Sequence, residues 1–101
     1  MPLLHDKQFW VYILASQKRG TLYIGMTDDL AKRVWTHKER MLEGFTKQYG
    51  VKRLVWCEAH ETREAAFTRE RQLKKWKRAW KIELIEKENP DWLDLYKTLN
   101  Q

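Results

Sequence analysis

The chain is poor in the residues that hold together small secreted or metal-bound proteins. Its single cysteine, Cys57, excludes an internal disulfide, and no cysteine–histidine cluster has the spacing of a zinc site. The apolar stretch from Phe9 to Ala15 is too short to cross a bilayer, and no signal peptide is recognisable before it. We therefore expect a cytoplasmic protein that does not enter a membrane.

Glycine and proline are also scarce, with four and two residues, and no linker, repeat or low-complexity tract interrupts the sequence. A length of 101 residues suits one domain and leaves no room for a second full core. Hydrophobic residues make up 43% of the chain and include six tryptophans, so wholesale disorder is not expected. We predict a single domain over residues 1–101.

Acidic residues are outnumbered by basic ones, which gives a net charge of +6 and a pI near 9.6. Between Thr62 and Lys81, a segment called the basic stretch below, eight basic side chains accompany only Glu64 and Glu70. This excess favours binding to phosphate groups over the alternative of an ordinary solvated helix face. The predicted nucleic-acid contacts are Arg69, Arg71, Lys74, Lys75, Lys77 and Arg78.

The chain contains three β-rich runs, and the first predicted helix lies between the second and the third of them. Residues 9–14 and 21–25 flank a polar segment that ends in glycine, a pattern that predicts an antiparallel hairpin, and residues 54–57 form a third strand. Residues 27–29 offer a helix N-cap, and the first helix is predicted to run to about Glu43, where Gly44 stops it. Leu30, Val34, His37 and Met41 follow at helical spacing, and Leu30, Val34 and Met41 form the apolar stripe of this helix.

The C-terminal half is predicted to be helical. A second helix begins after Thr62, with a bend near Arg78, and Asn89 with Pro90 is typical of the start of a short last helix. The apolar stripe of the second helix consists of Ala66, Leu73 and Trp80. The predicted order is therefore β-β-α-β-α-α, an α/β fold of the α+β kind in which helices flank a small sheet.

Two pairs of side chains are candidates for chemistry. Tyr12 and Tyr23 stand on adjacent strands of the hairpin, where tyrosine is more often a packing residue, although both hydroxyls could emerge at one place. Arg33 and His37 are spaced i, i+4 and share one side of the first helix. At the border of the apolar stripe, they suggest a cation and a proton carrier that face a common cleft.

Glu70 and Asn89 are further candidates, each with a structural alternative. Glu70 lies between Ala66 and Leu73 on the apolar side of its helix, where a carboxylate is costly unless it is paired with a cation. That cation is either a neighbouring lysine or arginine or a bound metal ion. For Asn89 the residues alone favour a helix cap.

Taken together, these residues resemble a known family. Trp10-Val11-Tyr12, followed eleven residues later by Tyr23-Ile24-Gly25, is similar to the paired strand motifs of the GIY-YIG nuclease superfamily, in particular its small stand-alone bacterial members. The resemblance covers about residues 9–96. Trp10 replaces the first glycine of the motif, and Met26 stands where some repair nucleases of the superfamily carry a lysine.

The resemblance implies a three-stranded antiparallel sheet and metal-dependent hydrolysis of phosphodiester bonds in DNA. It makes Tyr12 and Tyr23 water-activating or phosphate-orienting hydroxyls, Arg33 a phosphate clamp and His37 a proton relay. Glu70 becomes the one protein ligand of a single Mg²⁺ or Mn²⁺ ion. The resemblance also gives Asn89 a catalytic role.

Two alternatives remain beside the nuclease. One is a DNA- or RNA-binding domain that keeps the fold and the basic stretch without catalysis, and the other is a protein-interaction module that uses its spare tryptophans. Because the chain has no second domain to read sequence, we expect a nuclease to select its DNA by structure or through a protein partner.

Overall fold

The computed structural model describes residues 8–39 and 48–99. The elements in chain order are β1 (Phe9–Ala15), β2 (Leu22–Thr27), α1 (Leu30–Lys38), β3 (Arg53–His60), α2 (Arg63–Lys75), α3 (Arg78–Glu88) and a 3₁₀ helix (Leu95–Thr98). This order confirms the predicted α+β class, with the difference that the last helix is a single 3₁₀ turn.

The three strands form an antiparallel sheet in the order β2-β1-β3, so that β1 is the central strand. Tyr12 lies opposite Gly25 of β2 and opposite Cys57 of β3. The register between β1 and β3 shifts by one residue beyond this point, which leaves Val55 without a partner. A bulge of this kind bends a strand and frees a backbone carbonyl for other contacts.

Helices cover both faces of the sheet because successive side chains of a strand point to opposite sides. On one face Val11 and Ile13 of β1 pack with Leu73 of α2 and Ile85 of α3. The other face carries the alternate residues of β1, and there Tyr12 packs in a cluster with Leu30 and Val34 of α1. The candidate tyrosine is therefore directed toward the helix that bears Arg33 and His37.

Helix starts agree with the predicted caps. The Asp29 carboxylate accepts a hydrogen bond from the backbone N–H of Lys32 at 3.2 Å, and the Thr62 hydroxyl accepts one from Ala65 at 3.1 Å. The helix α1 ends at Lys38 with Glu39 as its C-cap. The predicted continuation to Glu43, with Met41 on its stripe and Gly44 as its stop, lies outside the described residues.

The predicted bend near Arg78 is present as a break between α2 and α3. The break has a consequence for Trp80, which was expected on the apolar stripe of the second helix. Because α2 ends at Lys75, Trp80 belongs to a helix with a different axis, and 48% of its surface is exposed. The placement of Trp80 in the core is therefore wrong.

The predicted helix start at Asn89 is also wrong. Asn89 is the C-cap of α3, and its backbone N–H donates to the Ile85 carbonyl. The chain then stays non-helical until Asp94, whose carboxylate caps the 3₁₀ helix. Trp92, with φ of 56°, takes a left-handed conformation that cannot continue a helix.

In the part of the chain that the structure describes, no helix is long and apolar enough to span a membrane.

Candidate active site

Three aromatic rings meet on the face of the sheet that α1 covers. The Tyr12 and Tyr23 ring centroids are 6.3 Å apart, and the His37 ring lies 6.0 Å from Tyr12 and 5.3 Å from Tyr23. The Tyr12 hydroxyl and His37 Nε2 are 3.2 Å apart, within a hydrogen bond. Tyr12 is fully buried and His37 is buried, whereas Tyr23 is partly exposed. Tyr23 is thus the tyrosine of the pair that solvent reaches.

Gly25 makes room for this cluster. It stands directly across the strand pair from Tyr12, so a side chain at position 25 would point to the same face as the tyrosine. A β-carbon there would lie 2.5 Å from the Tyr12 hydroxyl oxygen and 2.6 Å from ring carbon Cζ, well inside van der Waals contact. The glycine is needed because of a side-chain clash, and not for a special backbone conformation.

We expect Gly25→Ala to destabilise the fold by about 1–3 kcal/mol, the usual cost of overpacking a core. The added methyl group must displace the Tyr12 ring, which is fully buried and hydrogen-bonded to His37. A double-mutant cycle with Tyr12→Leu, followed by urea unfolding, measures the coupling. If Gly25→Ala costs the same in both backgrounds, the tyrosine ring is not the obstacle.

Burial governs the ionisation of the buried pair. It raises the pKa of Tyr12 well above its ordinary value, and the neighbouring Tyr23 adds to this, while the charge and hydrogen bonding of Arg33 oppose it. Burial, and secondarily the charge of Arg33, lowers the pKa of His37 to about 4. At neutral pH Tyr12 therefore keeps its proton and His37 is uncharged, so the tyrosine O–H can donate to Nε2.

Arg33 lies at the open side of the cluster. Its side chain is exposed, and it lines a surface cavity of about 440 Å³. The other lining residues are Thr27, Asp28, Asp29, Lys32 and Thr36. Because its charge affects both Tyr12 and His37, the guanidinium faces the aromatic cluster and solvent at once. This is the position a phosphate-binding side chain requires.

Glu70 lies on α2 with only 14% of its side chain exposed, and its charge contributes to the raised pKa of Tyr12. One carboxylate oxygen is 3.4 Å from Nζ of Lys74, one turn further along the helix, whose side chain is 54% exposed. The structural alternative for Glu70, a pair with a neighbouring lysine, is therefore present, but as a loose and half-exposed pair.

The donor set around Glu70 fits only one kind of metal ion. Within residues 8–39 and 48–99, no three histidine, cysteine, aspartate or glutamate side chains come together as ligands. A single carboxylate leaves most coordination positions to water, which suits Mg²⁺ or Mn²⁺ and not a caged zinc ion. The residues present are compatible with the hydrated ion that the resemblance implies.

A second cavity, of about 310 Å³, lies beside Tyr23. We call it the lysine groove; its lining residues are Leu22, Tyr23, Ile24, Lys74 and Lys81. Lys81 belongs to the basic stretch but was not among the predicted nucleic-acid contacts. The tertiary structure brings it to the same cavity as Tyr23, a candidate catalytic residue.

The predicted nucleic-acid contacts divide into two groups. Arg69 donates to the Glu58 carboxylate at 3.0 Å, and Arg78 donates to the carbonyls of Arg19 and Gly20 in the hairpin turn. These two arginines hold elements together. The other members of the set are exposed, namely Arg71, Lys74, Lys75 and Lys77. The basic surface is therefore built mainly by residues 71–77 together with Lys81.

The exposed Trp80 forms part of a third cavity. Trp76 and Trp80 meet edge to face with centroids 6.0 Å apart, and they line a cavity of about 430 Å³ with Glu83, Leu84 and Lys87. Such pairs are stable packing units in their own right. The cavity lies on α3 and contains none of the predicted catalytic residues.

Asn89 has contacts of a different kind from the other candidates. It is 5% exposed, and its side-chain N–H groups donate to the carbonyls of Val55 and Leu93, while its oxygen accepts from the Leu93 N–H. Val55 is the unpaired residue of the bulge in β3. The amide thus ties α3 and the C-terminal segment to the outer strand, and these bonds satisfy both of its polar atoms.

We expect Asn89→Ala to lower the free energy of unfolding by about 2–4 kcal/mol, because it leaves buried backbone groups without partners at roughly 1–3 kcal/mol each. Urea unfolding measures the loss. At a temperature where both proteins are folded, the rate of any nuclease activity should change by a smaller factor than the folding equilibrium constant. A stable variant that has lost all cleavage would instead support the catalytic role implied by the resemblance.

Comparison with known proteins agrees with this geometry. A family model described as the GIY-YIG catalytic domain matches residues 8–83, a range that contains Tyr12, Tyr23, Arg33, His37 and Glu70. The chain therefore belongs to the GIY-YIG family, whose domains are of the nuclease type. Asn89 lies beyond the matched range.

The more specific similarity is to UPF0213 proteins. One from Clostridium perfringens is 37% identical over 76 residues, which cover 75% of this chain and 81% of the relative. Another, from Staphylococcus saprophyticus, is 34% identical over 79% of this chain and 95% of its own. The solution NMR structure of a UPF0213 protein from Bacillus halodurans has a TM-score of 0.51 at 30% identity, covering 81% of this chain and 86% of that one.

Proposed function

We propose that this protein is a divalent-metal-dependent endonuclease that hydrolyses phosphodiester bonds in DNA. The observation that carries the proposal is the meeting of Tyr12, Tyr23 and His37, with Arg33 and Glu70 close enough to affect the ionisation of Tyr12. A protein that only binds nucleic acid needs positive charge, but it does not need a buried hydroxyl–imidazole pair behind an arginine.

Arg33 is proposed to bind the scissile phosphate. A phosphodiester resists attack because its negative charge repels the incoming oxygen, and a cation at the phosphate offsets that charge in the transition state. Arg33 is exposed on the side of the cluster that solvent reaches, so a phosphate can approach its guanidinium without rearrangement of the core. Its planar fork also suits two phosphate oxygens.

Tyr23 is proposed to orient the attacking water, since it is partly exposed while Tyr12 is fully buried. Tyr12 stays protonated and positions His37 through their hydrogen bond. A phosphate bound to Arg33 compensates one of the two causes that lower the pKa of His37, so the pKa rises toward its ordinary value when substrate arrives. In the tautomer whose Nε2–H donates to the Tyr12 oxygen, His37 can then take up at Nδ1 the proton released from water.

Glu70 is the residue that would hold Mg²⁺ or Mn²⁺. When bound, such an ion supplies positive charge to the phosphate oxygens and acidifies coordinated water. The protein's own contribution is a carboxylate that is largely shielded from solvent yet paired only with a half-exposed lysine. Replacement of that lysine by a metal ion does not require the core to open.

We infer that the substrate is selected by its structure (branches, flaps or ends) or by a partner protein, because the described residues form one small sheet with its helices and nothing resembling a second reading domain. RNA is the alternative substrate. A cytoplasmic location and a role in DNA repair are part of the proposal, consistent with a single, unpaired cysteine and a nuclease-type domain.

The test is a cleavage assay with purified protein on single-stranded, duplex and branched DNA, with Mg²⁺, with Mn²⁺ and with EDTA. We expect cuts that require the metal ion and that favour one DNA structure. Binding to all three DNAs without cleavage under any condition would favour the alternative, a non-catalytic nucleic-acid-binding domain. The basic surface of residues 71–77 is the observation that keeps this alternative open.

The two tyrosines should respond differently to removal of the hydroxyl. We expect Tyr23→Phe to lower the cleavage rate by about 10²-fold, within the usual range for proton-transfer and orienting groups. Tyr12→Phe should lower it less and should also destabilise the fold, because it removes the partner of His37. Single-turnover rates and melting temperatures decide the assignment. A larger rate loss for Tyr12→Phe would mean that Tyr12, and not Tyr23, orients the attacking water.

A further inference from the structure

The side chain of Lys74 borders both Glu70 and the lysine groove. Its ammonium group is 3.4 Å from the carboxylate of Glu70, and the same side chain lines the lysine groove beside Tyr23. Its 54% exposure leaves it free to exchange one partner for another without disturbing the core. Because the lysine of the pair is exposed and the two charged atoms are 3.4 Å apart, the pair contributes little to stability and its exchange costs little.

The lysine groove has the composition of a site for a phosphodiester group. Lys74 and Lys81 bring two positive charges to one cavity beside β2, Tyr23 also borders it, and no acidic side chain of the described residues lines it. The cavity, of about 310 Å³ and open to solvent, has room for several water molecules, as a hydrated phosphate requires. The groove is also separate from the cavity that Arg33 lines.

We propose that the lysine groove binds a phosphate next to the scissile one, and that Lys74 leaves Glu70 for this phosphate when DNA binds. The carboxylate is then released to take up its metal ion. This inference rests on the proposed function, and it goes further by assigning a second phosphate subsite and an order: nucleic acid first, metal second.

The arrangement gives a physical reason for that order. In the free protein Lys74 competes with a metal ion for Glu70, which keeps metal affinity low in the absence of substrate. Once Lys74 and Lys81 bind a phosphate, the Glu70 carboxylate no longer has the Lys74 ammonium group beside it. By thermodynamic linkage, whatever strengthens metal binding after DNA must strengthen DNA binding after metal to the same extent.

Two binding measurements on the full chain test the proposal without relying on cleavage. The first is Mn²⁺ binding in the absence of DNA, followed by electron paramagnetic resonance of the free ion. We expect Lys74→Gln to bind Mn²⁺ about two- to fivefold more tightly than the unaltered protein, as the loss of an exposed ion pair predicts. Lys75→Gln removes the same charge one residue away on α2 and serves as the matched control. Adding Glu70→Gln to Lys74→Gln should abolish the gain.

The second measurement is DNA binding in EDTA, followed by fluorescence anisotropy over a series of salt concentrations. Lys74→Gln and Lys81→Gln should each weaken binding and reduce the slope of log affinity against log salt by about 0.9 on duplex DNA. Lys97→Gln, an exposed lysine on the 3₁₀ helix, is the control that should change neither. Melting temperatures establish that all variants are folded.

The outcomes separate this proposal from the nuclease assignment. If Lys74→Gln binds Mn²⁺ no better than Lys75→Gln, or if Lys81→Gln binds DNA as well as Lys97→Gln does, the coupled phosphate subsite is wrong, whatever the cleavage assay shows. If both binding results hold while the protein cuts no DNA, the subsite stands and the proposed nuclease activity fails.

Discussion

Arg33→Ala should lower the rate of DNA cleavage by about 10³-fold or more, the loss typical of an arginine that stabilises charge in phosphoryl transfer. The guanidinium lies at the open side of the Tyr12–Tyr23–His37 cluster, and no other described arginine affects the ionisation of Tyr12 or His37. Because the side chain is exposed, the free energy of unfolding should change by less than about 0.5 kcal/mol. Single-turnover cleavage and urea unfolding are measured on the same preparation.

Lys32→Ala is the matched control, because Lys32 is exposed on the same helix and lines the same cavity. It should weaken DNA binding modestly and leave the cleavage step unchanged. Arg33→Lys keeps the charge but loses the planar fork, so it should restore only part of the rate. An Arg33→Ala protein that unfolds would mean that Arg33 has a structural role. One that cuts as fast as Lys32→Ala does would mean that Arg33 is an ordinary surface residue.

Glu70→Gln should eliminate metal-dependent cleavage while it leaves DNA binding intact or slightly stronger. The substitution keeps the size and hydrogen-bonding capacity of the side chain but removes the negative charge that a hydrated Mg²⁺ or Mn²⁺ requires. The pair with Lys74 is half exposed and 3.4 Å long, so its loss should cost no more than about 1 kcal/mol. The melting temperature without metal and the cleavage rate with Mn²⁺ are the two readouts.

Glu64→Gln provides the comparison for this variant, since Glu64 is exposed in the first turn of the same helix. It should retain cleavage. A Glu70→Gln protein that melts far below the unaltered one but still cuts would mean that the carboxylate serves the fold through Lys74 and not a metal ion. Loss of cleavage together with loss of DNA binding would point to a misfolded variant instead.

Much of the fold could be predicted because its signals are local. Two β-rich runs on either side of a glycine-ended turn mark the hairpin, and Asp29 and Thr62 cap the helices that follow them. The last helix could not be predicted in the same way. Asn89 followed by a proline is a common helix start, but here the side chain bonds to Val55, a residue 34 positions earlier whose free carbonyl results from a bulge. No local pattern reports a partner at that distance.

The sequence by itself indicated the family, most of the elements and the candidate set Tyr12, Tyr23, Arg33, His37 and Glu70, because strand alternation and helical spacing place side chains on faces. Only the tertiary structure decided what each face meets. It buried Tyr12 against His37, left Tyr23 within reach of solvent, and made Gly25 indispensable through a cross-strand clash. It also placed Lys81 beside Tyr23, because their proximity depends on how α3 packs against the sheet after α2 ends at Lys75. Burial and proximity between distant segments set the ionisation of these groups, and neither is encoded in spacing along the chain.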